Sequence, residues 1–365
     1  MKFRCERDTL ADAISTAQRA VASRSGALPV LSGLRLSVGR DSLELVGSDL
    51  ELTIRVHAPA QSIEEGVAVV PARLFGDIVR ALEPGPVDVQ VGDDEAHITS
   101  GRSNFSLRVL AADDFPRLPD VGGSAVEVEA PALAEALRQV VPAASRDDAR
   151  PILTGVLLTA VSGGLRLVAT DSYRLAVRDL QGVSMLEPGQ RVLVAAKALS
   201  EVQRLLGDGT IEVTLSERDA KFRIGEAEVT TRLIEGEFPN YEQLIPSGYP
   251  NRLTVEREAL AEAVRRVRLV GQGRDGAPIR LAMSTTGMEL SAVAQEVGEA
   301  RELVEAKYEG GDLTAAFNAQ FLLDGIDSVT SSEVVVETVD ALKPATLRET
   351  DRADFLYLLM PVRIS

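Results

Sequence analysis

The sequence contains little cysteine, no tryptophan and few other aromatic side chains. Its 365 residues include one cysteine, and phenylalanine, tryptophan and tyrosine together make up 4%. A single cysteine excludes a disulfide framework and a cysteine-rich metal site. Cys5 stands in the alternating run Phe3-Arg4-Cys5-Glu6, which favours a buried strand thiol over a reactive one. With so few aromatic residues, the 45% hydrophobic fraction predicts cores of valine, leucine, isoleucine and alanine.

Long apolar runs are also missing. No stretch approaches the roughly 18 residues that a membrane-spanning helix needs. The first residues, Met1 to Arg4, lead directly into a strand pattern without an apolar targeting region. We therefore expect a soluble protein of a reducing compartment, the cytoplasm, with no membrane partner.

Positive charge is in deficit, with 39 Lys and Arg against 55 Asp and Glu and a net charge of −16. This sum argues against a nucleic-acid partner, because affinity for phosphates comes from Lys and Arg. The distribution of charge matters more than its sum. Acids are frequent in predicted turns, whereas the predicted helices are basic, although Asp12 and Glu262 show that the segregation is incomplete. Taken alone, these basic residues fit solvated helix faces equally well: Arg19, Arg73, Arg80, Arg138, Arg146, Lys197, Arg204, Arg265, Arg266 and Arg268.

One long pattern is repeated three times along the chain. Offsets of 122 to 124 residues relate Asp49 to Asp171, Arg73 to Lys197 and Phe115 to Phe238, each within a similar short word. A fainter third copy follows the same order, as Leu10, Leu133 and Leu260 show. Repeats this long are whole domains, because solenoid units run to about 20–50 residues. We predict three tandem domains, at residues 1–122, 123–247 and 248–365.

Each repeat reads as a strand, a helix, a hairpin, a further strand pair, a second helix and two closing strands. This order predicts about eight strands and two helices per domain, and an α+β fold whose antiparallel sheets carry helices on one side. Gly-Asp turns at residues 92–94 and 207–209 are expected to join the closing strands. The opening strands are expected at Lys2–Glu6, Ala125–Glu129 and Arg252–Glu256, and the second helices near Pro71, Ala195 and Asn318.

The segment from Gly271 to Gly276 matches the spacing G-x-G-x-x-G of dinucleotide-binding loops. That function requires a strand before the glycines and a helix after them. Here a predicted helix (residues 259–270) precedes the segment and a predicted strand (residues 278–283) follows it. We interpret the segment as a turn and expect no cofactor.

Candidate catalytic groups are equally weak. Asp49 and Asp171 occupy equivalent positions of two repeats and so lie far apart, whereas carboxylate pairs act within about 10 Å. A local role is favoured, in which each side chain fixes a turn by bonding the backbone. His57 and His97 have no evident cysteine or serine partner. We therefore predict no catalytic residue and no metal site.

Three words identify a family. Ala169 to Ala176 (ATDSYRLA), Glu237 to Tyr241 (EFPNY) and Leu359 to Arg363 (LMPVR) occur in that order on the repeat. The whole chain thereby resembles the bacterial sliding clamps, the beta subunits of DNA polymerase III. The resemblance implies a non-catalytic processivity factor whose homodimer closes six DNA-clamp domains into a ring around double-stranded DNA. Domain one of each chain would meet domain three of the other, with helices lining the hole.

The resemblance also implies which residues face DNA. A clamp must let the duplex move, so sequence-independent contacts to phosphates suit it better than hydrogen bonds to base edges. The positions implied are Arg24, Arg73, Arg150 and Lys197, of which Arg73 and Lys197 are equivalent between repeats.

A partner-peptide pocket between domains two and three is the second implication. It would bind a short motif, glutamine followed by apolar and aromatic residues, carried by the polymerase III alpha subunit, the clamp loader, other polymerases and repair factors. A mainly apolar lining with a few polar groups suits a peptide. The matching positions are Leu153, Thr170, Ser172, Tyr173, Arg174, Leu175, Pro239, Gln243, Leu244, Asn318, Phe321, Leu342, Pro344, Leu358, Leu359, Met360, Pro361, Val362 and Arg363.

Two departures from the family pattern qualify this prediction. Glu242 and Gln243 stand where many clamps have basic residues, which alters the charge at the rim. Domain one has Leu50-Glu51 in place of Tyr173-Arg174, so we expect no second pocket there. An alternative function also remains open: a specialised clamp paralogue, or a scaffold of the same fold, that binds partner peptides or a small ligand without a replicative role.

Overall fold

The structure is a computed structural model and describes residues 1–22, 28–271, 278–294 and 297–363. Each repeat contributes two α-helices. The six helices are α1 (Arg7–Ala17), α2 (Ala72–Ala81), α3 (Ala130–Val140), α4 (Ala196–Leu205), α5 (Arg257–Val267) and α6 (Ala319–Ser328).

The strands, numbered β1 to β26 within the described residues, alternate with these helices in the predicted order. Those of the first repeat are β1 (Lys2–Glu6), β2 (Gly33–Val38), β3 (Ser42–Ser48), β4 (Leu52–Pro59), β5 (Gln61–Glu64), β6 (Gly66–Pro71), β7 (Pro86–Val91), β8 (Glu95–Ser100) and β9 (Ser103–Arg108). Those of the central repeat are β10 (Ala125–Glu129), β11 (Gly155–Val161), β12 (Gly164–Thr170), β13 (Arg174–Gln181), β14 (Arg191–Ala195), β15 (Thr210–Leu215), β16 (Asp219–Ile224) and β17 (Ala227–Arg232). Those of the third are β18 (Asn251–Glu256), β19 (Ile279–Ser284), β20 (Gly287–Ala294), β21 (Gly298–Val304), β22 (Ala306–Glu309), β23 (Leu313–Phe317), β24 (Glu333–Thr338), β25 (Ala345–Glu349) and β26 (Phe355–Leu359).

The helices form where the sequence pattern predicts them. In α3, Leu133, Leu137 and Val140 fall on one face, and all three are buried. Asn318 caps α6, because its side-chain oxygen accepts hydrogen bonds from the backbone N–H groups of Gln320 and Phe321.

The strand count departs slightly from the prediction of about eight. The central repeat has eight strands within the described residues, and the first and third have nine each. The additional strands, β5 and β22, each follow a one-residue break after β4 or β21. In the central repeat the corresponding segment contains Gly182 and Gly189, both with positive φ (78° and 85°), and forms no strand.

One predicted turn is wrong. Residues 92–94 do join two strands, β7 and β8, but residues 207–209 connect α4 to β15. Gly209 has a φ of 90°, which suits the reversal of the chain after a helix. The G-x-G-x-x-G segment lies mostly outside the described residues, at positions 272–276.

The strands form four antiparallel sheets, two of which cross repeat boundaries. In the eight-stranded sheet, β17 of the central repeat pairs with β4 of the first. In the nine-stranded sheet, β26 of the third repeat pairs with β13 of the central one. The five-stranded sheet (β5-β1-β7-β8-β9) and the four-stranded sheet (β21-β20-β19-β23) each belong to a single repeat.

The chain divides into two compact units that do not coincide with the three repeats. The first unit comprises Met1–Pro131 with Ser200–Leu233 and holds the five- and eight-stranded sheets. The second comprises Ala132–Leu199 with Ile234–Ser365 and holds the nine- and four-stranded sheets. The central repeat is therefore shared between the two units.

The cores consist mainly of aliphatic side chains, as the composition predicts. Cys5 is buried in β1, and its burial raises the pKa of the thiol to about 11, so the thiolate needed for reactivity is disfavoured. No helix in the described part of the chain is long and apolar enough to cross a membrane.

Candidate functional site

The predicted pocket residues belong to the second unit, and several of them surround the turn between β12 and β13. Asp171 fixes this turn: its Oδ1 accepts hydrogen bonds from the backbone N–H groups of Tyr173 at 2.9 Å and Arg174 at 3.0 Å. Thr170 Oγ1 accepts a further bond from the N–H of Ser172, which has a φ of 81°. The predicted turn-fixing role of Asp171 is confirmed.

The equivalent turn of the first repeat corrects our alignment by one residue. Asp49 Oδ1 accepts hydrogen bonds from the N–H groups of Glu51 and Leu52, and Leu50 has a φ of 77°. Leu50 therefore corresponds to Ser172, and Glu51-Leu52, not Leu50-Glu51, stands in the place of Tyr173-Arg174.

Below the turn, β13 and β26 bring apolar side chains together across the repeat boundary. Leu175 lies opposite Leu358 and Val177 lies opposite Leu356 in the antiparallel register. Residues alternate between the two faces of a strand, so these four share one face. They form one buried cluster with Leu157, Val168, Leu193, Phe238 and Tyr241, against which Ile152, Ile234, Ile245 and Met360 also pack.

Large apolar side chains stay exposed in the turns and the short helix that adjoin these elements. Leu342 is 67% exposed and lies in the turn before β25, whose first residue, Ala345, pairs with Leu359 of β26. That turn is fixed by Asp340, whose carboxylate accepts the N–H groups of Leu342 and Lys343. Tyr173 is 60% exposed, and Leu244, in the short 3-10 helix Glu242–Leu244, is 44% exposed. Exposed apolar residues beside a buried apolar cluster are typical of a site that binds an apolar ligand.

Arg174 is buried among groups that use its charge. Its Nε donates to Asp171 Oδ2 at 2.9 Å, and its Nη1 donates to Asp324 and lies 3.4 Å from the Tyr357 hydroxyl. The Cζ atom lies 4.3 Å from the centre of the Phe321 ring, close enough for a cation–π interaction. Burial alone would lower the pKa of Arg174, but Tyr357, Asp324 and Asp171 more than offset this effect, so its pKa is raised and it stays charged.

The C-terminal tail is fixed to the same region by its backbone. The N–H of Met360 donates to the carbonyl of Tyr173 at 2.8 Å, and that of Val362 donates to the carbonyl of Ala316 at 2.7 Å. Beyond β26, Val362 is 38% exposed, so the tail presents apolar surface to solvent.

The predicted pocket residues fall into two groups by burial. Leu153, Thr170, Arg174, Leu175, Leu358 and Leu359 are buried and support the surface from beneath. Asn318 caps α6, and its side-chain oxygen accepts the backbone N–H of Phe321. The remaining predicted residues are exposed or half-buried and can meet a ligand directly: Ser172, Tyr173, Pro239, Gln243, Leu244, Asn318, Phe321, Leu342, Pro344, Met360, Pro361, Val362 and Arg363.

Sequence reasoning missed several residues that shape this site. Asp324 and Tyr357 bond Arg174 although they lie 150 and 183 residues away, and no local pattern reveals such contacts. Val177 and Tyr241 belong to the apolar cluster. The sequence could have indicated Val177, because it lies two residues after Leu175 and therefore on the same face of β13.

The corresponding junction of the first unit is polar. At the equivalent register of β4 and β17, Thr53 lies opposite Thr230 and Arg55 lies opposite Glu228. Leu118 and Pro119 of the chain itself line this surface together with those four residues. This surface is therefore mainly polar, unlike the apolar cluster beside β13 and β26.

Of the predicted DNA-facing residues, Arg73 and Lys197 are the second residues of α2 and α4, and both are exposed. Gln320 occupies that position in α6, so the third repeat lacks the charge. Arg150 donates to Asp147 at 2.9 Å and to Ser172 Oγ at 3.2 Å. Arg24 lies outside the described residues.

Most other helix arginines are engaged in ion pairs, which weakens the inference from their number alone. Arg80 pairs with Asp77 at 2.6 Å, and Arg266 pairs with Glu302 at 2.6 Å. Across the described ranges, no hydrogen bond or ion pair engages Arg73, so its charge is available to a ligand.

Comparison with known proteins covers the chain from end to end. Family models of the DNA polymerase III beta subunit match in order: the N-terminal domain at residues 1–119, the central domain at 127–240 and the C-terminal domain at 242–363. A beta sliding clamp of Streptomyces coelicolor is 36% identical over 385 aligned residues that cover 100% of both chains.

Solved structures agree. A sliding clamp from Bartonella birtlesii, bound to griselimycin, has a TM-score of 0.93 at 31% identity and covers 100% of both chains. The DNA polymerase sliding clamp of Bacillus subtilis has a TM-score of 0.91 at 27% identity, again over 100% of both chains.

Proposed function

The chain belongs to the DNA polymerase III beta subunit family, and from this premise we propose that it is a DNA sliding clamp. In this role it is a non-catalytic accessory subunit: it encircles duplex DNA as a homodimer and tethers the replicative polymerase and other partners. One observation carries the proposal, namely the match of all three family domains, in order, over almost the whole chain. We propose domain boundaries at 122/123 and 247/248, and a cytoplasmic location where replicating DNA is found.

The tethering site is the apolar surface beside β13 and β26. Its support is the cluster built on the pairs Leu175–Leu358 and Val177–Leu356. Exposed apolar side chains adjoin β13, β25 and β26, namely Tyr173, Leu342 and Val362. A short peptide gains most of its affinity from a few buried apolar anchors. The apolar residues of a partner motif suit this lining, and the glutamine amide would bond the few polar groups at its edge.

The ring follows from the pattern of sheet joints. The last strand of a repeat (β17, β26) pairs with the third strand after the first helix of the preceding repeat (β4, β13). By the same rule, β9, the last strand of the first repeat, needs a partner strand equivalent to β4 and β13. In the third repeat that strand is β21, the third strand after α5. Both are edge strands of their sheets. We propose that β9 of one chain pairs with β21 of the other, twice, so that two chains close without open ends.

Exposure supports this joint, whereas charge does not decide it, because Glu299 and Glu302 of β21 already pair with Arg301 and Arg266. Leu303 on β21 is 80% exposed and Phe105 on β9 is 37% exposed, so each edge offers an apolar side chain to a partner.

DNA contact is proposed for Arg24, Arg73, Arg150 and Lys197. Equivalent helix positions for Arg73 and Lys197 and the unengaged charge of Arg73 support the assignment. Contacts of this kind are independent of sequence and weaken with salt.

The test uses the full-length protein loaded onto nicked circular DNA by a purified clamp loader. A sliding clamp stays on the closed circle and is released when the DNA is linearised, because its hold is topological. A fluorescent peptide with glutamine, two leucines and a phenylalanine is titrated in parallel. Equal retention on circular and linear DNA, or no retention on either, would contradict the clamp function.

A further inference from the structure

Asp324 connects a helix of the third repeat to the turn of the central repeat. It lies in α6, one turn after Phe321, and its side chain is 22% exposed. One carboxylate oxygen accepts a hydrogen bond from Arg174 Nη1, and the other accepts one from Gln320 Nε2 at 2.7 Å. The sequence words that identify the family do not include this residue.

Arg174 is held between two carboxylates. Asp171 binds its Nε from one side, and Asp324 binds its Nη1 from the other. With two donor nitrogens engaged and only 8% of the residue exposed, Arg174 has little left to offer a ligand. Its guanidinium instead faces the Phe321 ring at 4.3 Å.

The Phe321 ring connects the buried Arg174 to a side chain at the surface. The rings of Phe321 and Tyr173 are stacked, with centroids 6.4 Å apart and planes inclined by 28°. The Tyr357 hydroxyl fixes the backbone of Phe321 from below, by donating to its carbonyl at 2.9 Å. Tyr173 is largely exposed, so this aromatic pair ends where a ligand can reach it.

We propose that Asp324 is a positioning residue of the peptide pocket. It fixes Arg174 against Phe321 and thereby holds the Phe321–Tyr173 pair as a preformed wall for the apolar side chains of a partner peptide. This inference rests on the proposed function of the pocket. Preformed surfaces bind more tightly, because less conformational freedom is lost on binding.

The test is a double-mutant cycle read by peptide affinity. Asp324→Asn keeps the shape of the side chain but removes the charge from a charge-assisted hydrogen bond. We expect about a tenfold weaker Kd for the glutamine-and-phenylalanine peptide, which is about 1.4 kcal/mol. The matched control is Asp327→Asn on the same helix, an exposed carboxylate that pairs with Arg265 at 3.1 Å and should leave the Kd within twofold.

The cycle separates positioning from general destabilisation. In a Phe321→Leu background the aromatic wall is already absent, so Asp324→Asn should weaken peptide binding no further. If Asp324→Asn instead acted by destabilising the fold, its loss of affinity would add to that of Phe321→Leu. Tyr357→Phe, which removes the bonds to Phe321 and Arg174, provides a second cycle if Asp324→Asn does not fold. Unchanged affinity in Asp324→Asn, or additive losses, would overturn the inference. A wild-type protein that fails to bind the peptide would instead contradict the proposed function of the pocket.

Discussion

At the scale of single residues, the clearest strain is at Leu50. An L-residue in the left-handed region costs roughly 1–2 kcal/mol, which glycine avoids. Leu50 has a φ of 77° and is 43% exposed, so little packing opposes its replacement. We expect Leu50→Gly to raise the free energy of unfolding by about 0.5–1 kcal/mol, part of the gain being lost to the greater freedom of unfolded glycine. Leu50→Ala keeps the Cβ and should give no such gain. Urea unfolding of both variants checks this, and equal stability of the two would contradict the role of φ.

The exposed cations of α2 and α4 are also a residue-scale matter. We expect Arg73→Glu with Lys197→Glu to shorten the lifetime of the protein on circular DNA by at least tenfold. The fold should be unaffected, since substitutions on exposed helix faces usually change stability by under about 0.5 kcal/mol. Arg40→Glu in the exposed turn between β2 and β3 is the matched control and should keep the wild-type lifetime. A strong preference for one duplex sequence would rule out these contacts as the source of binding.

Some residue roles could be predicted from the sequence and others could not. The repeated Ser/Thr-Asp words correctly predict that Asp49 and Asp171 fix turns, because the bonds are local. Our register was one residue wrong at Leu50, although the match of Asp49 to Asp171 already aligns Leu50 with Ser172. The positive φ of both residues, 77° and 81°, confirms that alignment. Asp324 and Tyr357 could not be predicted, because they meet Arg174 only once two repeats pair.

At the scale of elements, the tail after β26 should be essential for peptide binding. Ending the chain at Leu359 removes Met360, which packs on the apolar cluster, and the hydrogen bonds to Tyr173 and Ala316. We expect the peptide to lose several kcal/mol of affinity, at least a hundredfold in Kd. Dimerisation should persist, because the proposed joint uses β9 and β21. Removal of residues 364–365 alone serves as the control, and unchanged peptide affinity in the shorter chain would show that the site lies elsewhere.

An ion-pair network joins α3 to the segment before β26 and should make the second unit sensitive to acid. Arg352 donates to Glu135 at 2.8 Å and to Asp354 at 3.0 Å, and Arg178 also contacts Asp354. Burial by itself raises the pKa of Asp354, but Arg352 and Arg178 more than offset this, so its pKa lies below the ordinary value. The stabilisation is therefore present above the unfolded pKa of about 3.9 and is lost as the pH falls through the lower folded value.

We accordingly expect Asp354→Asn to be less stable than wild type at pH 7 and to lose less stability on acidification. The measurement is the free energy of unfolding in urea at pH 7 and at about pH 3.5, where the difference between the two proteins should narrow. Asp351→Asn, at an exposed neighbouring position, should follow the wild type at both values. A constant gap would mean that the charge of Asp354 does not contribute.

Elements were more predictable than their joints. Hydrophobic spacing and repeated words locate both helices of every repeat, because they reflect local geometry. The separate strands β5 and β22 arise because the chain leaves one sheet after β4 or β21 and joins another. There β5 pairs with β1, and β22 pairs with β18. Such pairings involve residues far apart in the chain, and no local pattern encodes them.

At the scale of the whole molecule, the homodimer should depend on β9 and β21. We expect Leu303→Asp, or Phe105→Asp, to shift the protein to a monomer at micromolar concentration, since a buried unpaired charge costs several kcal/mol. Ile63→Asp, on β5 at the opposite edge of the five-stranded sheet, is the control and should stay dimeric. Analytical ultracentrifugation distinguishes the two forms, and a wild type that is strictly monomeric would contradict the ring.

The sharing of sheets between repeats also bears on how such a chain can evolve. A crossover at a repeat boundary exchanges a whole sequence domain, yet β4 would then face a foreign β17, or β13 a foreign β26. The pairs Thr53–Thr230 and Arg55–Glu228 at one seam, and Leu175–Leu358 and Val177–Leu356 at the other, are not interchangeable, because polar and apolar partners would meet. We therefore expect a recombinant to fold well only when both strands of a seam are exchanged together. The three repeats are similar in sequence, but the strands at their joints have become specific to their positions in the chain. We therefore expect that the order of the repeats cannot be changed without mismatching these strands.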